Sequence, residues 1–245
     1  MRHYGIIGFP LVQSFSAKFF NEKFAREGID AEYSLYPIAS DELERIQHYV
    51  DTLDGMNVTI PYKQTVIPYL ERLDETAEAI GAVNVVYKHV GYNTDCLGFI
   101  DSMKPLLREF DRKALVLGTG GASKAVCYGL RKLGVEPTLV SRTSKNGMLG
   151  YEDLNAEVMA SHTIIVNCTP LGMTPNVETC PDIPYAHITA RHLLYDCVYN
   201  PDETLFLKKG KAQGATTKNG MEMLYGQAKA AWAIWSGEPP QAATK

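Results

Sequence analysis

Two kinds of apolar pattern alternate along the chain. Residues 3–9 (HYGIIGF), 31–37 (AEYSLYP) and 55–60 (GMNVTI) are short apolar runs closed by glycine or proline, the signature of strands and their stops. Between the first two, Phe19, Phe20 and Phe24 recur at helical spacing over residues 14–28. Ser14 or Ser16 serves as N-cap and Gly28 as stop. The Ser-Asp-Glu start at 40–42 predicts a helix over 40–50. Further helices are expected near 63–70 and 74–80, and a hairpin-like strand pair over 82–87 and 90–93. This alternation calls for a mostly parallel sheet with helical crossovers.

A second unit begins near residue 97 with a connecting helix over 97–110. KALVL (113–117) is a nearly continuous apolar run, as in a strand covered on both faces. A glycine turn at 118–121, a helix over 123–133 and strands at 138–141, 163–167 and 193–199 follow. That order is the alternation of a doubly wound nucleotide-binding domain. The last helix, 221–236, carries Trp232 and Trp235 as packing residues.

Composition changes this picture little. A chain of 245 residues buries a core without staples. Its formal charge of -4 gives no reason to expect nucleic acid or an anionic membrane as partner. Five cysteines, an odd count with no C-x-x-C pair, argue against a disulfide framework or a zinc site, so no metal is expected. The sequence shows no basic and apolar leader and no apolar run near the roughly 20 residues that span a bilayer, so a soluble cytoplasmic protein is expected.

Gly118, Gly120, Gly121 and Ala122 lie between a predicted strand and a predicted helix, with Ser123 where a G-x-G-x-x-G pattern would have its third glycine. Such a turn brings backbone and helix N–H groups to a pyrophosphate; an ordinary tight turn is the plainer alternative. The next strand ends in Ser141, Arg142 and Thr143 and offers no carboxylate for a ribose 2′-hydroxyl. A guanidinium fork and two hydroxyls suit a 2′-phosphate, which favours NADP over NAD, with Lys145 as an added charge. Lys63 and Asp95 both follow likely strand ends, where ligands bind in such sheets. A lysine in a partly desolvated cleft can move a hydroxyl proton during hydride transfer. Spacing alone leaves Lys63 a surface lysine and Asp95 a turn or cap residue.

Seven motifs narrow this. NVTIPYK (57–63), GAVN (81–84), GYNTDCLGF (91–99), GTGGASKA (118–125), NCTPLGM (167–173), DCVYNPDETLFL (196–207) and NGMEMLYGQA (219–228) stand in order along nearly the whole chain. Together they resemble the shikimate dehydrogenase family. The resemblance implies NADPH-dependent reduction of 3-dehydroshikimate to shikimate, a step toward aromatic amino acids. It implies a catalytic Lys63 with Asp95 as its acidic partner. It also implies a substrate pocket of Ser14, Ser16, Thr59, Lys63, Asn84, Asp95, Tyr199 and Gln227. Thr169, Met173 and Gly220 match positions beside the nicotinamide. For Ser14 and Ser16, helix capping is the reading the residues give by themselves. Gln13, Ala17 and Val85 stand where the family usually has His, Pro and Thr.

The expected architecture is α/β with two domains. Residues 1–97 plus 220–245 would form the substrate-binding domain, to which the last helix returns. Residues 98–219 would form an inserted Rossmann-type NADP domain. The protein would work as a monomer or homodimer. Two other readings stay open: a quinate/shikimate dehydrogenase with broader substrate or NAD use, and a non-catalytic NADP-binding sensor.

Overall fold

In a computed structural model, which describes residues 1–12, 14–144 and 147–237, the chain divides into two compact units. Met1–Thr94 with the segment from Gln227 onward forms the first, and Asp95–Gly226 the second. Each is an α/β unit with one six-stranded sheet.

The first unit's strands are β1 (Arg2–Gly8), β2 (Ala31–Pro37), β3 (Gly55–Val58), β4 (Arg72–Leu73), β5 (Val85–Tyr87) and β6 (Val90–Tyr92). They lie in the order β2-β1-β3-β5-β6-β4. β1 pairs in parallel with β2 and β3, whereas β5 is antiparallel to both β3 and β6. The β5–β6 hairpin turns at Lys88 and His89, both with positive φ. The period-two alternation of β1 sorts its side chains. Tyr4 and Ile6 face helix α1 (Phe15–Glu27) and the last helix, in a cluster with Phe20, Phe24, Tyr33, Val85 and Trp235. Ile7 faces the other way, toward Ile46 and Val50 of α2 (Arg45–Thr52), with Met56 and Val58. Val85 is fully buried in the first cluster, so this departure from the family is used for packing. α3 (Glu75–Ile80) is capped by the Asp74 carboxylate.

The second unit has β7 (Lys113–Leu117), β8 (Glu136–Ser141), β9 (Leu149–Gly150), β10 (Ile164–Asn167), β11 (Leu193–Asp196) and β12 (Thr216–Lys218). All pair in parallel, in the order β12-β11-β10-β7-β8-β9. The unbroken apolar run of β7 has the expected cause. Ala114 and Val116 enter one cluster with Phe99 and Met103 of α4 (Asp95–Met103) and Val126 and Leu130 of α5 (Gly121–Lys132). Leu115 and Leu117 enter the opposite cluster, with Met159 of α6 (Ala156–Ser161) and Phe206 and Leu207 of α7 (Leu205–Ala212). The helix α8 (Met221–Ser236) begins in the second unit and ends in the first.

Several sequence expectations moved; the strand expected at 193–199, for one, ends at Asp196. The helix expected over 40–50 begins only at Arg45, because Glu42 folds back on a turn, with its carboxylate near the Ala39 N–H and paired to Arg45. The helix expected near 63–70 is a set of turns and one 3₁₀ turn, Ile67–Tyr69; Pro68 cannot donate an internal N–H. The connecting helix starts two residues early, at Asp95, and ends before Pro105.

Candidate active site

In the first unit the topology gathers several expected residues at one end of the sheet. β1 and β3 are parallel, so their carboxyl ends lie side by side; the Phe9 N–H donates to the Ile60 carbonyl at 3.0 Å and the Thr59 N–H to Ile7 at 3.0 Å. β5 runs the other way, which brings its leading residue Asn84 to the same end, where its carbonyl accepts from the Val58 N–H at 2.9 Å. Lys63 is half-buried in the turn after β3, and its carbonyl accepts from the Val83 N–H at 2.7 Å. That bond ties the Lys63 backbone to the segment leading to Asn84, so the lysine sits on an anchored turn.

Asn84 is 3% exposed and held on several sides. Its Nδ2 donates to the Thr94 hydroxyl at 3.0 Å and to Gln227 Oε1 at 3.5 Å, and its Oδ1 accepts from the Thr94 N–H at 2.7 Å. Gln227 arrives on α8 and is itself buried. Ser14 is the N-cap of α1: its hydroxyl oxygen accepts from the Ser16 N–H at 3.1 Å. Capping, the reading from the residues alone, therefore holds for Ser14. It also fixes the loop that presents both serines. Thr59 is half-buried against Gly8. Tyr33, Asn57 and Thr94 are buried polar neighbours that sequence reasoning missed. Their only sequence signal is a polar residue inside an otherwise apolar strand or next to Asp95.

In the second unit the turn after β7 fits a dinucleotide. Gly118 has φ 109, which only glycine adopts without strain, and a Cβ there would meet Thr169 Cγ2 at 3.2 Å. Gly120 is the N-cap of α5; a Cβ on it would project into open space, and no side chain caps the helix. The first turn of α5, with Gly121 and Ala122, contains no acidic residue. Its N–H groups and positive dipole end thus suit a phosphate. Ser123, in the place of the third glycine, is fully buried. At the end of β8 the Ser141 hydroxyl donates to the Thr143 carbonyl, and the curled chain leaves Arg142 exposed. Lys145 and Gln13 lie outside the described residues.

The segments after β10, β11 and β12 carry the residues expected near a nicotinamide. Thr169 donates its hydroxyl to Asn167 Oδ1 at 2.7 Å. Met173 is exposed and Tyr199 is half-buried, and burial raises the Tyr199 phenol. Gly220 packs flat on the chain: a Cβ there would lie 2.3 Å from the Cys197 carbonyl oxygen. Asp95 opens α4 in its first turn and is 7% exposed.

Asp196, at the end of β11 and the start of the motif DCVYNPDETLFL, is fully buried and is a hub. It accepts from the Thr204 hydroxyl at 2.5 Å, the Val198 N–H at 3.0 Å and Asn167 Nδ2 at 3.0 Å. Burial pushes its carboxyl up to about 6, against the pull of these donors. A carboxyl whose folded pKa lies above its ordinary value of about 3.9 favours folding while protonated. Stability should therefore fall by roughly 3 kcal/mol at most as pH rises from about 4 through about 6. Asp196→Asn should remove that slope. Chemical denaturation of both proteins across this window checks it, and parallel slopes would remove Asp196 as the cause.

Residues 6–86 match the family model described as the shikimate dehydrogenase substrate binding domain. The chain is 36% identical to a shikimate dehydrogenase (NADP(+)) from Methanosphaera stadtmanae, over 96% of this chain and 92% of the relative. It is similar to the crystal structure of a shikimate dehydrogenase from Aquifex aeolicus, with TM-score 0.85 and 36% identity over 97% of this chain and 93% of that one. A shikimate 5-dehydrogenase from Thermus thermophilus, solved in complex with NADP(H) and shikimate, has TM-score 0.85 at 26% identity, covering 99% of this chain and 96% of that one.

Proposed function

The chain belongs to the shikimate dehydrogenase family, and on that footing we propose that it interconverts 3-dehydroshikimate and shikimate with NADP(H), Lys63 handling the proton. The observation that carries the site assignment is the hydrogen-bonded assembly at one end of the first sheet. It gathers Thr59, Lys63, Asn84 and Gln227 from three segments far apart in sequence.

NADPH, when bound, supplies the hydride. The rest is the work of side chains. The Lys63 ammonium gives its proton to the carbonyl oxygen as hydride reaches the carbon, so a ketone becomes an alcohol with charge balanced; the reverse reaction returns the proton to Lys63. The Asp95 carboxylate accepts from a substrate hydroxyl and orients the ammonium. Ser14, Ser16 and Thr59 offer hydroxyls to the substrate carboxylate, and Asn84 and Gln227 offer amides to ring hydroxyls. Tyr199 borders substrate and nicotinamide. The first turn of α5 takes the pyrophosphate, and Arg142, with Ser141 and Thr143, takes the 2′-phosphate. Thr169, Met173 and Gly220 border the nicotinamide.

No helix among the described residues is long and apolar enough to cross a membrane. The odd count of five cysteines supports a reducing compartment, and we place the enzyme in the cytoplasm, as a monomer or homodimer. Initial rates with shikimate or quinate, each with NADP⁺ or NAD⁺, test the whole reading. The fastest turnover is expected with shikimate and NADP⁺. Absence of shikimate turnover with either cofactor would sink it, and faster turnover of quinate would move the substrate assignment.

A further inference from the structure

The loop after β10 folds around one buried amide. Asn167, the last residue of β10, is fully buried. Its Nδ2 donates to Asp196 Oδ1 at 3.0 Å and to the Leu171 carbonyl at 3.4 Å. Its Oδ1 accepts from the Thr169 N–H at 3.0 Å and from the Thr169 hydroxyl at 2.7 Å. The Thr169 methyl lies beside the glycine turn, where a Cβ on Gly118 would meet Cγ2 at 3.2 Å.

Each of these bonds has one possible direction. The Val198 N–H reaches Asp196 Oδ1 at 3.0 Å, and a main-chain N–H can only donate, so that oxygen is an acceptor. The Leu171 carbonyl also only accepts, which places the Asn167 nitrogen on the same side. The amide oxygen therefore faces Thr169, and the Thr169 N–H, a donor, fits it. An amide oxygen only accepts, so the Thr169 hydroxyl gives its single proton to Asn167. One lone pair of the Thr169 oxygen takes the Leu171 N–H at 3.3 Å, and one more is left. Thr169 is half-buried, and its hydroxyl can meet a ligand only as an acceptor.

Holding the loop does not require the last of these bonds. The Thr169 N–H on Asn167 Oδ1 closes the turn by itself. Fixing the hydroxyl as well sets which partner the threonine takes, and that matters to a ligand rather than to the loop. The oxygens of a pyrophosphate are acceptors, so they suit the N–H groups in the first turn of α5 and not this oxygen. The nicotinamide half of a dinucleotide carries donors instead, the carboxamide N–H and the ribose hydroxyls.

We infer that Asn167, oriented by Asp196, is a positioning residue for the cofactor: it commits the Thr169 proton, so that the Thr169 oxygen accepts from a donor on the nicotinamide half. This rests on the NADP(H) site proposed above. Without the Asn167 amide, the Thr169 hydroxyl is free to turn among its staggered rotamers, and binding has to restore the lost order.

Calorimetric titration with three ligands tests this: NADP⁺, its 3-acetylpyridine analogue, which has no amide N–H, and adenosine 2′,5′-bisphosphate, which has no nicotinamide half. Thr169→Val keeps the shape and removes the acceptor. Its Kd for NADP⁺ should rise about fivefold, with the bisphosphate value within about twofold of the unaltered protein. An analogue Kd that also stays within about twofold assigns the bond to the carboxamide; a rise of about fivefold assigns it to the ribose, and either supports the inference. Thr169→Ser keeps the hydroxyl and should keep the NADP⁺ value. Asn167→Ala should raise the Kd for NADP⁺ about fivefold alone but add less than about twofold to Thr169→Val, because the group it positions is gone. Should Asn167→Ala not fold, as judged by circular dichroism, Asn167→Ser in the same cycle is expected to show the same pattern. An unchanged NADP⁺ value in Thr169→Val, or equal rises for NADP⁺ and the bisphosphate, would overturn this inference and leave the cofactor site standing. Equal factors for the Asn167 change with and without Thr169→Val would also overturn it, since a diffuse packing effect adds in that way. Failure of the unaltered protein to bind NADP⁺ would overturn the cofactor site and this inference with it.

Discussion

Lys63→Ala should lower kcat about a thousandfold, within the range that a positioned proton donor contributes, while KM for shikimate moves less than about fivefold. The expectation is this specific because the loss can be separated from folding. The neighbours Tyr62 and Val66 are buried in the first unit's core, and the Lys63 carbonyl is held by the Val83 N–H. Those anchors belong to the backbone and to other side chains, so truncation at Cβ leaves the turn in place. The side chain of this half-buried residue is lost, and with it the proton that the proposed reaction delivers to the carbonyl oxygen. Water can still deliver a proton, which is why the residual rate is not zero. Steady-state kinetics with a thermal melt checks this, and a variant of full activity would remove Lys63 from the mechanism.

Arg142→Ala is the second large effect. Its KM for NADP⁺ should rise by about ten- to a hundredfold, with the value for NAD⁺ within about twofold, as expected for loss of one charge-assisted pair with phosphate. The argument is local. β8 ends at Ser141, whose hydroxyl donates to the Thr143 carbonyl; this folds the chain back and leaves the Arg142 side chain exposed at the strand's carboxyl end. The three residues 141–143 contain no carboxylate to repel the 2′-phosphate. Equal effects on the two cofactors would overturn the assignment of Arg142.

Much of the fold is legible in the sequence where one physical rule dominates. KALVL is apolar at every position after its first because both faces of β7 are covered, and the strand runs over those five residues. Ser14 and Gly28 bound α1 because each end needs a special conformation or an acceptor, and both are found. Where rules compete, the local pattern misleads. The helical pattern over 63–70 lost to Pro68. α7, with its run Lys-Lys-Gly-Lys, carries too short an apolar stripe to announce itself, and β12 is only three residues long.

The site divides in the same way. Lys63 and the glycine turn stand in local motifs, whereas the partners that hold the site are distant in sequence. Tyr33 and Asn57 meet across 24 residues, Asn57 and Asn84 across 27, and Asn84 and Gln227 across 143. No periodicity encodes such pairings. Asp196 offered one clue, a carboxylate closing the apolar run Leu-Leu-Tyr, but its three donors come from Asn167, Val198 and Thr204.

The path of α8 governs the order in which the protein can complete itself during translation. The first unit lacks Ala228, Ala231, Ile234 and Trp235 until residues 228–235 are made, and Trp235 lies 5.1 Å from Tyr4 and 5.0 Å from Phe20. Residues 95–226, by contrast, contain every strand of the second sheet. Domains ordinarily fold from the amino terminus as they emerge from the ribosome. Here the order is inverted: the unit that starts first is finished last, and its aromatic core waits, open, for a helix some two hundred residues downstream.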